Sequence, residues 1–308
     1  MRKLGLFSVA FCLALLALMI AATGPVQLLE ALGNVPPGHI IAALLAVQVQ
    51  VVASAWRWRF TARRLGHDLP LTLAIREYYV SSALNLVLPG GMAGDAVRAY
   101  RSRTEGSGGW QRPAIAVVLE RLSGQVALLA ITLGGAIAWI GMSGDPLPAY
   151  AVWIVAGIAL VLLAAVAFAM LSPRTWLPQR LRAAGSDLAA VFWRDGAWAI
   201  QAGLSTLVVG GYIAAFLIAS DAIGARLPAI AAFTVIPLCL MTMMIPAGVG
   251  GWGTREAAAA ALWPLLGFSS GDGIAASLLY GLLSLAGAAI PGAIAVAVSL
   301  YHGRISRA

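Results

Sequence analysis

"LNLVLPGGMAGDAVRAY", Leu84 to Tyr100, and "MMIPAGVGGWGTREAA", Met243 to Ala258, break two apolar runs with the same punctuation. Aligned from their prolines, Pro89 meets Pro246, Gly91 meets Gly248, Gly94 meets Gly251 and Arg98 meets Arg255. Gly90, Gly250 and Gly253 loosen the two turns further. Proline removes a backbone donor and glycine weakens a helix, so each stretch leaves backbone groups without partners. Chance recurrence in a chain with 34 glycines is the alternative reading.

The solvent for these turns follows from composition. The chain has 308 residues, is 61% hydrophobic and 10% charged, and has a mean hydropathy of +0.89. A soluble domain would carry roughly a quarter charged residues, so most of this chain is expected in a bilayer. Apolar runs long enough to span read at 4–23, 39–60, 113–142, 149–171, 196–220 and 273–300. The basic N-terminus reads as a retained first helix rather than a cleaved signal. Two segments, 71–104 and 228–264, are interrupted by the Pro-Gly turns, and the return arm from Asp95 to Arg103 is too short to cross. Interrupted backbone is tolerated at membrane depth only where protein or water covers it. The expected fold is therefore an all-α polytopic membrane protein. It would have six full spans and two re-entrant helical hairpins, eight membrane segments in a single integral membrane domain.

Charge sets the orientation. Of 20 basic residues, 19 are arginine, and the net charge is +8. Arg2 and Lys3 precede the first span; Arg57, Arg59, Arg63 and Arg64 are taken to follow the second, and Arg101, Arg103 and Arg112 the first hairpin. Arg174, Arg180, Arg182 and Arg194 lie in the 172–195 connection, and Arg304 and Arg307 in the tail. The intervening loops lack Lys and Arg apart from Arg226. By the positive-inside rule both termini are cytoplasmic, in a bacterial inner membrane. Nucleic acid is the weaker reading of this charge and is not expected as a partner. The hairpins then enter from opposite sides, and the halves, about 1–145 and 146–308, form an inverted repeat. Paired Gly/Pro-interrupted segments at corresponding positions point to a transport site near the midplane.

Ionisable residues in such segments usually face a cavity or a partner. They occur here as Arg76 with Glu77, Asp95 with Arg98, Glu120 with Arg121, and Arg255 with Glu256. Adjacent helical residues point about 100° apart and do not face each other, so cross-pairs between segments are expected. Asp95 and Arg98, three apart, share a face. Arg98 and Arg255 are the candidate anchors for an anionic lipid headgroup, because a guanidinium holds phosphate bidentately and stays charged. Helix N-termini after the glycines would add donors. Asp95, Glu120 and Glu256 would hold the arginines without lipid or carry a proton, with Arg121 in the same set. A buried ion-pair network that only fixes helix register is the alternative. The cluster Trp56, Trp58, Tyr78 and Tyr79 fits an interfacial aromatic belt. The 172–195 stretch reads as an ordinary basic connection, a short amphipathic helix being the alternative. His39 and His67 fall in predicted loops. Cys12 and Cys239 lie inside apolar runs, and no metal cluster, catalytic set or cofactor motif is expected.

At "LPGGMAGDAVRAY", "VVLERLSGQVALL" and "IPAGVGGWGTREAA" the sequence resembles the lysylphosphatidylglycerol synthase transmembrane family, also called the flippase-like domain family. That family includes the membrane part of the bacterial multiple peptide resistance factor. One departure is Ala93, where many relatives carry a second glycine. The resemblance spans nearly the whole chain and implies movement of a lipid between leaflets through a cavity formed by the two hairpins. The lipid would be an anionic phospholipid, a polyprenyl-phosphate lipid or a glycolipid. Synthase activity belongs to a soluble domain of some relatives; the sequence ends at Ala308, eight residues after the last predicted span, so that activity is not expected here. The alternatives are a membrane-embedded lipid-modifying transferase and a membrane partner or scaffold for lipid or glycolipid biosynthetic enzymes.

Overall fold

A computed structural model describes residues 30, 32–88, 91–103, 109–143, 157, 179–244 and 249–305. The predicted span 4–23, the span 149–171 but for Gly157, and the turn residues Pro89, Gly90, Pro246 and Gly248 lie outside the described residues. Among the described residues there are nine α-helices and no strand. They are α1 Pro37–Arg64, α2 Leu71–Val87, α3 Ala93–Arg101, α4 Gln111–Ser143, α5 Gln179–Phe192, α6 Ala197–Ala222, α7 Val235–Thr242, α8 Thr254–Leu262 and α9 Ser270–Ile305. Short 3-10 turns at Arg194–Gly196, Ala229–Ala232 and Trp263–Leu266 flank α6, α7 and α8.

Four helical stretches are long and apolar enough to cross a membrane: Pro37–Arg64, Gln111–Trp139, Arg194–Ala222 and Ser270–Val298. They coincide with four of the six predicted spans. Proline at the first helical position starts α1, where its missing N–H costs nothing. The others are too short. At 1.5 Å per residue, α3 and α8 with 9 residues each reach about 13 Å, and α2 with 17 about 25 Å, against roughly 30 Å of hydrocarbon. The arm before the second turn is shorter than its sequence promised. The run from Pro228 is helical only as the 3-10 turn and α7, with a break at Phe233 and Thr234. There the Phe233 carbonyl packs directly on Gly135 of α4, at a point where any Cβ would collide. The chain bends because α4 lets backbone approach backbone. The described part of 172–195 is helix α5, the alternative for that stretch, and His39 lies in the first turn of α1 rather than in a loop.

Side-chain contacts fix which helix ends lie together. Arg64 at the end of α1 donates to the carbonyls of Ala190 at 2.8 Å and Arg194 at 2.7 Å, just before α6. Arg112 at the start of α4 donates to Leu65 at 3.1 Å. Arg101, the last residue of α3, meets Glu77 in the second turn of α2 at 2.8 Å. Thus α2 starts, and α3 finishes, at the arginine-bearing end of the bundle. At the other end His39 of α1 lies 3.2 Å from Asp221 of α6, and Trp263, after α8, donates to Ser220 of α6 at 3.4 Å. The α7–α8 pair starts and finishes there, beside the start of α9, where Gly273 packs on the Ala259 carbonyl.

The core between these ends is apolar, with Trp58, Phe216, Trp263 and Tyr280 fully buried. Among the largest fully buried side chains, however, are Arg98 and Arg255, with Glu77, Glu120 and Glu256. Burying unpaired charge is prohibitive, so their partners define the centre of the molecule.

Candidate functional site: two buried arginine clusters

The first cluster gathers on Arg98 of α3. Its Nε lies 3.0 Å from Asp95 Oδ1, one helical turn earlier, and its Nη2 donates to Glu120 Oε2 of α4 at 2.7 Å. Each carboxylate has a second guanidinium on its other oxygen. Arg57 of α1 donates to Glu120 Oε1 from Nη2 at 2.5 Å and from Nε at 3.1 Å, and Arg121 Nη2 lies 2.5 Å from Asp95 Oδ2. Hydroxyls complete the set. Tyr78 donates to Glu120 Oε1 at 3.2 Å, Ser81 donates to Asp95 Oδ1 at 3.2 Å, and Ser205 of α6 accepts from Arg57 Nη1 at 3.1 Å. Arg98 packs against two rings, its Cζ 4.8 Å from the Trp58 centroid and 4.4 Å from that of Tyr78. Desolvated cation–π contacts of this kind contribute about 2 kcal/mol each. Arg98 Nη1 is buried and has no hydrogen-bond partner among the described residues.

The second cluster repeats the theme with fewer charges. Arg255, on α8 after the second turn, lies with Cζ 5.0 Å from the Trp252 centroid and 4.9 Å from that of Tyr280 on α9. Its Nη2 donates to Glu256 Oε1 at 2.6 Å, and its Nε donates to Ser277 Oγ at 2.8 Å. Ser277 in turn donates to Glu256 Oε1 at 2.8 Å. Glu256 Oε2 accepts the Gly253 N–H at 2.6 Å and so closes the first turn of α8. Arg255 Nη1 is likewise buried without a hydrogen-bond partner among the described residues.

The two turns touch. A Cβ on Gly250, whose φ is +56°, would sit 2.6 Å from Leu86 Cα at the end of α2, and one on Gly91 would sit 3.9 Å from Gly250 Cα. Trp252 donates from its indole to the Leu86 carbonyl at 3.1 Å. Inside the first pair, Gly94 packs on the Ser81 carbonyl, which no side chain would permit, and its N–H donates to Asn85 at 2.8 Å. Asn85 and Glu256 thus take up the N–H groups of Gly94 and Gly253 within the protein.

The structure brings Asp95, Arg98, Glu120 and Arg121 together, and sets Arg255 and Glu256 apart in the second cluster. Glu120 and Arg121 pair across helices and not with each other, and Asp95 pairs with Arg98 on one face, as their spacing requires. The neighbour rule fails in two places: Arg255 bonds Glu256 directly, and Arg76 lies 2.8 Å from Glu77. Both arginines fold back along their own backbone because the long side chain, not the Cα direction, sets its reach. The assignment of Trp58 and Tyr78 to an interfacial belt is also corrected: both are buried against Arg98, and only Trp56 is exposed.

Arg57 is the residue that sequence reasoning misplaced. It lies inside α1, 3% exposed, and Arg59, Arg63 and Arg64 stand in the last two turns of the same helix and not in a loop after it. A signal for it existed. Gln50, Ser54, Arg57 and Thr61 recur at helical spacing along an otherwise apolar span, and all four are buried. They face α6, where Gln201 donates to Thr61 at 3.0 Å. Gly124 of α4 makes the slot for Arg57, since a Cβ there would meet Nη2 at 3.0 Å. Ser205 and Ser277 carry no sequence signal that marks them.

No curated protein matches the chain. Residues 5–292 match the family described as the lysylphosphatidylglycerol synthase TM region, and the chain belongs to that family.

Proposed function

We propose that this membrane protein moves an anionic or glycosylated lipid between leaflets as a flippase or scramblase, without chemically modifying it. The observation that carries the reading is the charge of the first cluster. Three guanidiniums, Arg57, Arg98 and Arg121, face two carboxylates, Glu120 and Asp95, which leaves one positive charge in excess. Arg98 is the cation that can be spared. When it turns from its carboxylates to a phosphate, Glu120 keeps Arg57 and Asp95 keeps Arg121, so no buried carboxylate is stranded. Its partnerless Nη1 already offers a donor.

In this proposal α2–α3 and α7–α8 are re-entrant hairpins that enter from the cytoplasmic and the opposite face of a bacterial inner membrane. The halves 1–145 and 146–308 form an inverted repeat. The contact of Trp252 and Gly250 with Leu86 supports tips that converge. The headgroup docks between Arg98 and Arg255 while its chains stay in the bilayer, and one half rocks against the other around it.

Reconstitution into liposomes with fluorescent phosphatidylglycerol, polyprenyl-phosphate and glycolipid reporters tests this. At least one reporter should cross faster than in empty liposomes, and Arg98→Ala and Arg255→Ala should lose that rate while still inserting. Wild-type rates equal to empty liposomes for every reporter would overturn the proposal.

A further inference from the structure

The two arginine clusters are not equivalent, and the difference falls on one carboxylate. In the first, each acid is held by two arginines, one on each oxygen: Glu120 by Arg57 and Arg98, Asp95 by Arg98 and Arg121. In the second, the only cation paired with Glu256 among the described residues is Arg255. Its remaining contacts are neutral donors, the Ser277 hydroxyl at 2.8 Å and the Gly253 N–H at 2.6 Å. Among the described residues, the other titratable groups facing the pair bring no positive charge. They are the Tyr280 ring from α9, stacked on Arg255, and the Cys239 thiol from α7, which lies within electrostatic reach of both partners.

We infer that an anionic headgroup binds Arg255 only together with a proton, and that Glu256 is where this proton sits. The inference rests on the proposed headgroup site. Both side chains are fully buried. When a phosphate oxygen takes the Arg255 guanidinium, Glu256 loses its counter-charge in a medium that penalises a lone carboxylate. Taking a proton from water onto the oxygen that Arg255 leaves removes the penalty. The new O–H finds an acceptor beside it in Ser277 Oγ, whose own proton is then free to reorient. Charge balances, since the complex gains one negative headgroup and one proton. Arg98 requires no such step, because Arg57 and Arg121 stay with its acids. The first cluster therefore binds the anion alone, and the second couples it to a proton.

The experiment is proton uptake on ligand binding, which is independent of transport. Purified full-length protein in weakly buffered detergent is titrated with dihexanoyl phosphatidylglycerol, a soluble probe lipid, while a pH-indicator dye reports protons and intrinsic tryptophan fluorescence reports binding. Wild type should take up about one proton per bound lipid, and over the pH range of that uptake its affinity should fall about tenfold per pH unit, as linkage requires. Glu256→Gln should bind without uptake and without that slope; its amide oxygen can still accept the Gly253 N–H. Asp68→Asn, an exposed carboxylate outside both clusters, should keep both the uptake and the slope. Binding without proton uptake in wild type, or unchanged uptake in Glu256→Gln, would overturn the inference and leave the headgroup site standing. Absence of binding in wild type would overturn the site and the inference together. Wild-type uptake is decisive even if a variant fails to fold.

Discussion

Glu120 is the counter-ion of two buried guanidiniums, and its removal shows what a single charge is worth at this depth. Among the described residues, Glu120→Leu would leave Ser205 as the polar partner of Arg57 and Asp95 as the counter-ion of Arg98. Stripping one partner from a buried ion pair costs about 3–5 kcal/mol, and thermal unfolding in detergent should register a loss of that size. The exposed pair of Arg226 with Asp221, 4.0 Å apart, is a useful contrast. Arg226→Ala should move stability by no more than about 0.5 kcal/mol in the same assay. This difference was half legible in the sequence. Charges inside apolar runs announce that they have partners, and the three-residue spacing of Asp95 and Arg98 named one pair. The partners of Arg57, Ser205 and Ser277 were not legible, although the polar stripe on α1 marks Arg57 as buried. They depend on which helices pack side by side, and Arg57 lies near enough to Arg59, Arg63 and Arg64 to pass for a member of the basic loop.

At the scale of helices, the glycines matter where backbone meets backbone. Gly250 combines a φ of +56° with contact against the backbone of Leu86. Gly250→Ala therefore meets both a left-handed strain and a collision, and should cost about 1–3 kcal/mol. Because Leu86 belongs to the other turn, the damage should extend to lipid movement in the liposome assay and not only to melting temperature. Gly185→Ala is the control. Gly185 lies in α5 with nothing within 4 Å of a built Cβ, so alanine should raise stability by up to about 1 kcal/mol through helix propensity. Equal melting shifts in the two variants would mean that the Gly250 contact is not tight. The Pro-Gly punctuation gave away the existence of the short helices, since few other sequences stop an apolar helix so abruptly. It did not give away the break at Phe233, which arises from the glycine of a different helix, Gly135, and so has no local signature.

For the whole molecule, the arrangement of helix ends makes a prediction about sidedness. Arg103 follows α3 and Gly185 lies on α5, at the end where Arg64, Arg101 and Arg112 cluster. Arg226 follows α6 at the end marked by His39 and Asp221. Both Arg103 and Arg226 precede or follow a short helix pair, yet the contacts of Arg101 with Glu77 and of Trp263 with Ser220 assign the two pairs to opposite ends. If each pair returns to the face it left, single cysteines at 68, 103 and 185, in a background with Cys12 and Cys239 replaced by alanine, should react with a membrane-impermeant maleimide from one side. Cysteines at 226 and 269, which flank the second pair, should react only from the other. The native thiol at Cys239 is fully buried and would not confuse the result, but its replacement removes any slow background. Labelling of 68 and 103, or of 226 and 269, from opposite sides would mean that the pair between them crosses completely. Arg98 and Arg255 would then belong to ordinary spans, and their burial would reflect the register of a bundle and not a shared headgroup site.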